Sequence, residues 1–472
     1  MYNAYITRIK NLHKHPNADR LQIGECFGNA VIVSMEYEDN QLGIYFPSDG
    51  QLSVEFAEAN NLLRKKDENG NNIGGYMDPD KRNVTAIKLR GEKSDGLFLP
   101  LKSLESFGDI STLAEGDKID NFNGHEICCK YIPKRNVRHG HPSNGNKTRK
   151  HKVPIAPLFV EHADTEQLAY NLGAFKAGDE IEITLKMHGT SQRTGYLPVL
   201  KGYKRTLFDK IFRREGKPIY DWGYVSGTRR TVLEDFEGGY YGSNAFRESH
   251  SKFFEGKLNK GEEIFYEVVG FTDTGVPIMG NGDNKKLNDK DFVKQYGETT
   301  VFSYGCDPDG ADEGHYEDIV WVGPRHDIYV YRMTMTNEDG FVVEYTPDFM
   351  RYRCEQMGVK CVPVFHKVII PTHKPLGMWN DEDKAKDIPG YRPPIDAGEY
   401  VKFLAEQYYD GPDPIGKTHI REGVVVRIIN RPKFAAYKHK NWFFKALEGI
   451  VKVEAEAPDM EEAESTTEND TE

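Results

Sequence analysis

The stretch EIEITLKMHGTS, residues 180–191, is a run of alternating apolar and β-branched residues that ends on a lysine and then turns on a glycine. Inward-facing side chains at every second position mark a β-strand with one packed face. The pattern stops at Lys186, and Gly189 supplies a turn. An amine is thereby placed at a strand end, facing a pocket. A Lys-x-[Asp/His]-Gly tetrapeptide recurs by chance in a chain of this length, and a surface lysine beside a turn has the same local sequence. Its weight depends on what surrounds it.

Outward from this stretch, residues 155–450 mix strand-like runs with a few helical ones. The expected strands, besides EIEITLKM, are GYVSG, EIFYEVVG, VFSY, IYVYRMTM, VPVF, GVVVRII and WFFKAL; the expected helices cover 246–258, 347–357 and 398–407. Gly/Asp-rich loops separate them. This is an α+β pattern on antiparallel sheets, not the strict strand–helix alternation of a doubly wound fold. Residues 1–133 carry AYITRI, LQIGEC, AVIVSM, LGIYFP and VTAIKL, divided by turn formers such as HPNAD and PSDG. Short strands with glycine-rich turns between them predict a small β-barrel. Residues 134–154, with KRNVRHGHPSNGNKTRKHK, form a basic linker and a domain boundary. Residues 451–472 are expected to be a disordered acidic tail, since from Glu454 onward they are mostly Glu, Asp, Ala, Ser and Thr with no aromatic residue.

Composition narrows the function classes. The chain has 472 residues, 38% hydrophobic and 29% charged, enough for two or three domains with buried cores. No apolar run is long enough to span a bilayer, so no membrane partner is expected. A net charge of −12 argues against nucleic acid, but much of it lies in the tail while basic residues cluster in the linker. The six cysteines include no CxxC pair, which speaks against structural zinc and for free thiols in a reducing compartment. The first residues, MYNAYITRIKNLHK, lack an apolar signal core, so a cytoplasmic protein is expected; a monomer is the separate default expectation.

Further candidates follow Lys186 in chain order. YEVVG sets Glu267 in an aromatic and β-branched strand. IYVYRMT puts Tyr329 and Tyr331 on one face of another, where core packing is the plain alternative. REGVVVRI places Glu422 at the head of an apolar strand, and AAYKHK puts Lys438 and Lys440 on one face. A lysine nucleophile, two acids suited to ribose or metal, an aromatic platform and paired lysines suited to phosphates make one chemical set.

That order resembles the covalent nucleotidyltransferases, the superfamily of RNA ligases, DNA ligases and capping enzymes. The matching segments are KMHG (motif I, Lys186 to Gly189), YEVVG (motif III), IYVYR (motif IIIa), EGVVV (motif IV) and YKHK (motif V). YVSGTRR, Tyr224 to Arg230, resembles the basic segment between motifs I and III of RNA ligases. Most of the superfamily has Asp where this chain has His188, and KxHG is a variant of phage-type RNA ligases. HPNADRLQIGE and VTAIKLRGEKSDGLFLP resemble the OB-fold tRNA-binding module, and also the N-terminal OB domain of one RNA ligase branch. After motif V only the acidic tail remains, which leaves no room for the C-terminal OB domain of DNA ligases and capping enzymes.

The resemblance implies an N-terminal OB-type barrel followed by an antiparallel-sheet adenylyltransferase domain. It implies ATP and Mg²⁺ or Mn²⁺, and as partner RNA or a nicked RNA-containing duplex. Lys186 would carry AMP covalently, pass it to an RNA 5′-phosphate, and the 3′-hydroxyl would then displace it in repair or nick sealing. Lys438 and Lys440 would assist at the phosphate. His188, Gly189, Arg193, Glu267, Tyr331 and Tyr329 would line the nucleotide site, and Glu422 and Glu267 would serve the metal. Arg229, Arg230, Arg20, Lys88 and Arg90 would contact RNA. A DNA ligase or capping-type guanylyltransferase, and a non-catalytic tRNA- or RNA-binding protein, are the competing expectations.

Overall fold

The computed structural model describes residues 2–66, 72–131, 153–159, 161–162, 165–212, 216–238, 241, 243–274, 278, 290–296, 326–386, 388–416 and 420–445. The acidic tail, the VFSY strand and all but two residues of the basic linker lie outside them. The chain divides into two compact units, one built on Met1–Asn136 and the other on Val137–Phe444.

The first unit is strand-rich, as expected. Leu97–Pro100, Leu42–Phe46, Ala4–Arg8 and Lys118–Ile119 pair in that order as a four-stranded sheet. Lys10–Lys14, Leu21–Cys26 and Asn29–Ser34 form a three-stranded one. Ile6, Ile44, Phe46, Phe56, Leu104 and Ile127 are fully buried in one core. Among the described residues no sheet closes into a barrel. The ladder that begins at Ala4 stops at Arg8, and the next strand slips register between Lys10 and His13, around Asn11 at φ 57. An irregularity of that kind ends pairing and turns the strand aside.

The second unit holds two mainly antiparallel sheets, each with one short parallel edge pairing. One has the order Glu166–Gln167, Ala435–Lys440, Gly423–Ile428, Glu180–Leu185 and Val364–Ile369. Its apolar face packs on the helix Ala397–Glu406 through Ile181, Ile183, Val401, Ala405, Val424 and Val426. The other follows the path Val232–Leu233, Lys217–Gly227, Thr190–Lys204, Glu262–Gly270, His326–Thr336 and Val342–Glu344. Helices Ala245–Phe253 and Pro347–Met357 cover it, burying Ile264, Tyr266, Val268, Ile328 and Val330. The second of these helices is set by its sequence. The Thr346 hydroxyl accepts from Phe349 N, Pro347 takes the first turn, and Gly358 ends it at φ 73. Leu185 and Met187 from one sheet meet Val269 and Tyr329 from the other in a further core.

One expected strand is a correction. WFFKAL has high strand propensity, yet residues 442–445 are helical. The Asn441 side chain accepts hydrogen bonds from Phe443 N at 2.8 Å and Phe444 N at 3.4 Å. This N-cap outweighs the aromatic residues' preference for a sheet.

Candidate active site

Lys186 is the first residue beyond the Glu180–Leu185 strand. Its backbone N donates to Gly423 O at 3.0 Å, and Leu185 N to Pro363 O at 2.9 Å. Met187 is buried and pins the turn. Gly189 then lets the chain cross into the other sheet at Thr190. A Cβ on Gly189 would stand 2.4 Å from Val268 O and 2.9 Å from Glu267 Cγ, so no larger residue fits. The tetrapeptide is therefore the seam between the two sheets, which is why the amine faces the space between them.

Glu422 lies on the neighbouring strand end, 3% exposed. Lys186 Nζ is 2.7 Å from Glu422 Oε1, Lys440 Nζ is 3.3 Å from the same oxygen, and His188 Nδ1 is 3.5 Å from Oε2. Burial alone would raise the Glu422 carboxyl; the positive charges of Lys186 and Lys440, with His188, more than reverse it and hold the group well below the usual carboxylate range. The His188 ring packs edge-on to Phe444 at 4.9 Å.

Across the seam, Ser191, Glu267 and Tyr329 are cross-strand partners on three adjacent strands. Glu267 is 8% exposed. The pairing skips Tyr331, because Tyr266 opposes Val330 and Phe265 opposes Arg332. A bulge of this kind re-aims a side chain. The Tyr331 hydroxyl reaches Ser191 Oγ at 2.9 Å, and burial, then the charge of Glu267, push its phenol up. Lys186, Glu267, Tyr331, Arg229 and Lys438 line one cleft, whose walls also include Val362 and Val425.

Other residues of this cleft were not singled out in the sequence. Glu182 takes a two-pronged bond from Arg351, at 3.1 and 2.8 Å. Arg332 Nη1 donates to His162 Nδ1 at 2.8 Å, and its guanidinium lies between Phe265 and Phe434 at 4.5 and 4.4 Å. Since a guanidinium only donates, Nδ1 is the acceptor in this bond. Arg427 bonds Tyr345 O at 3.1 Å. His162 comes from a loop and Phe434 from a turn beside a strand; only sheet pairing gathers them, and no local pattern marks either.

Some expected residues stand elsewhere. Arg193 is 1% exposed and is not among the cleft-lining residues. It pairs with Glu263 at 3.1 Å, donates to Thr228 O at 2.9 Å and lies over Phe159 at 3.7 Å. Burial pushes the Glu263 carboxyl up to about 7, with Arg193 opposing. Tyr329 is buried in the core between the sheets, with Lys360 over its ring at 5.6 Å. Arg230 is exposed outside the described cleft. In the first unit Arg20 is exposed and Lys88 half-buried, and Arg90 holds φ 49 with its carbonyl bonded to Asn17 Nδ2 at 2.9 Å.

No family model matches the chain, and no curated protein matches it by sequence. Among solved structures it is similar to the RNA ligase of Naegleria gruberi in several forms. A lysine-to-alanine mutant with ATP and Mn aligns at 15% identity and a TM-score of 0.52, over 94% of this chain and 98% of that one. The form with PPi aligns at 15% identity and 0.52, over 96% and 99%. A lysine-to-methionine mutant with AMP and Mn aligns at 15% identity and 0.52, over 94% and 98%. At this identity the likeness is one of fold, and it spans most of both chains. No helix among the described residues is long and apolar enough to cross a membrane.

Proposed function

We propose that the chain is an ATP-dependent RNA ligase that joins a 3′-hydroxyl to a 5′-phosphate through AMP carried on Lys186. The observation that carries this reading is the convergence of Lys186, Lys440 and His188 on the buried Glu422, at a cleft that also holds Glu267, Tyr331 and Lys438. The fold shared with a ligase studied with ATP, AMP and PPi supports it.

The Lys186 amine lone pair attacks the α-phosphorus of ATP, the bond to the β-phosphate oxygen breaks, and pyrophosphate leaves. The RNA 5′-phosphate oxygen takes the AMP from nitrogen, and the 3′-hydroxyl oxygen then displaces AMP as the strand closes. An unperturbed lysine is neutral about once in 2,500 molecules at pH 7, so the proton must leave before attack. While Glu422 holds the ammonium at 2.7 Å the amine is no nucleophile, so that contact must give up its proton before attack. Lys438 and Lys440 neutralise charge gathering on the phosphate. Tyr331 offers its ring to the base and Glu267 an acceptor to the ribose. Arg229 and, in the first unit, Arg20, Lys88 and Arg90 contact the RNA, with residues 1–133 as its OB-type grip.

Glu267, which lines the cleft, and Glu422, which meets the cleft's Lys186 at 2.7 Å, are hard oxygen donors that would suit Mg²⁺ or Mn²⁺ completed by water and phosphate oxygens. The ion would supply charge stabilisation at the reacting phosphate.

Incubation with radiolabelled ATP and Mg²⁺ should label the protein covalently. The label should be lost in Lys186→Ala and on chelation, and restored by Mn²⁺ after chelation. Labelling by GTP alone, or ATP labelling that survives Lys186→Ala, overturns the reading. Sealing of a nicked RNA duplex, with DNA placed on either side of the break in turn, then defines the substrate.

A further inference from the structure

The Thr190–Lys204 and Lys217–Gly227 strands make an arm. Only Thr190–Gly195 of the first strand lies in the ladder with Glu262–Gly270; from Tyr196 to Lys204 its ladder partner, among the described residues, is the returning strand, while Leu200 N also bonds Ile155 O at 2.7 Å and Leu197 and Val199 pack on Ala156 and Phe159. Past that packed base, from the bulge between Leu200 and Gly202 onward, the ribbon continues through the pairs Gly202–Ile219, Tyr203–Pro218 and Lys204–Lys217 to its tip. At its tip Leu207–Ile211 is helical, fixed by a capping box in which Thr206 and Asp209 exchange hydrogen bonds.

The tip has two properties that soluble surfaces rarely combine. Leu207, Phe208, Ile211 and Phe212 are 77, 72, 70 and 64% exposed. Four large apolar side chains in consecutive turns are a patch and not scattered exceptions. Residues 201–217 also hold seven lysines and arginines against two acidic residues, in a chain whose net charge is −12. A preformed helix, an apolar ridge and local positive charge against the charge of the whole chain ask for a polyanion that also offers apolar faces.

We infer that this hairpin tip is an RNA-binding arm. Its basic side chains engage phosphates, and Phe208 and Phe212 lie against bases. Positive β-ribbons with apolar tips grip nucleic acid by wedging beside base steps, and a break in one strand exposes base faces that a continuous helix hides. The inference rests on the ligase reading for the choice of a nicked RNA as partner. It is independent of the chemistry at Lys186.

Two variants of the full chain separate the contributions: Phe208→Ser with Phe212→Ser, and Lys204→Ala with Arg205→Ala and Lys217→Ala. Fluorescence anisotropy on a labelled nicked RNA duplex should show about a tenfold loss of affinity for the first, with the salt dependence unchanged. The second should flatten the slope of log affinity against log salt by about one for each phosphate that is no longer neutralised. Both should keep the wild-type melting temperature and the wild-type rate of Lys186 labelling by ATP without RNA. If that labelling is absent from the wild type, the ligase reading fails while the arm is still judged on RNA binding. Unchanged RNA affinity in both variants overturns the arm. So does wild-type RNA affinity coupled with lost binding to phosphatidylserine vesicles, which would give the tip to an anionic membrane.

Discussion

At Glu422, burial and charge compete on one carboxylate, and the two lysines around it, with the His188 hydrogen bond, decide the outcome. Its folded-state pKa lies below the unfolded value of about 4.5, so the stability it contributes is present above that pH and is lost as pH falls toward the folded value. Glu422→Gln should cost about 2 kcal/mol at neutral pH, and the gap to wild type should narrow below pH 4.5. Urea midpoints at pH 7, 5 and 4 check this, and parallel curves would refute the electrostatic account. Arg193 and Glu263 show the opposite sign. Burial raises the Glu263 carboxyl to about 7, so its contribution is full below about 4.5 and lost as pH rises through 7. Arg193→Met leaves an unpaired buried acid and should cost about 3 kcal/mol at pH 8 but clearly less at pH 5. Its folded fraction should still take the ATP label, since the Arg193 side chain is spent on Glu263, Thr228 and Phe159. A loss of labelling without loss of stability would return Arg193 to the nucleotide. Sequence could not separate these fates: one strand carries Arg193 and Ser191 on the same face, and only the partner strand reveals that Arg193 meets an acid.

Among elements, the lysine turn links both sheets, and its tightest point is Gly189. Alanine there would press on the Val268 carbonyl at 2.4 Å, which is backbone and cannot rotate away. Gly189→Ala should lose about 2 kcal/mol of stability, by the cost of overpacking. It should slow adenylylation at least tenfold, because the strand that must give way carries Glu267. Single-turnover labelling under folded conditions tests it, and a wild-type rate would mean the seam has more room than the backbone shows. The same elements show what was legible beforehand. The strand ending at Lys186 announced itself by alternation and those around Glu267, Tyr331 and Glu422 by β-branched and aromatic runs, and the chain order of their polar residues suggested one site. The helical turn at 442–445 did not, because Asn441 acts through two backbone bonds that composition cannot show. Nor did the two-pronged Glu182–Arg351 pair, whose members are 169 residues apart and meet only through packing. In the first unit short strands were readable, whereas the register slip near Asn11 that divides its sheets was not.

For the molecule as a whole, the two units carry separate cores and the cleft belongs to one of them. Its lining residues run from His162 to Lys438, inside the unit built on Val137–Phe444. The four tryptophans, Trp222, Trp321, Trp379 and Trp442, all fall in that same unit by sequence. Indole fluorescence therefore follows the unfolding of the cleft-bearing unit while far-UV circular dichroism follows both. Ligand that binds only the folded state stabilises by about 2.7 kcal/mol at a hundredfold excess over Kd. For a unit of this size that raises the midpoint by about 5 °C. Lys186→Ala is the form to use, because it can hold ATP and Mg²⁺ without turnover and also removes one of the two lysines on Glu422. Saturating ATP with Mg²⁺ should lift its fluorescence midpoint by that amount, GTP should lift it less, and ATP with a chelator less again. A fluorescence transition that stays in place under saturating ATP would separate the cleft from nucleotide binding, and with it the chemistry assigned to Lys186.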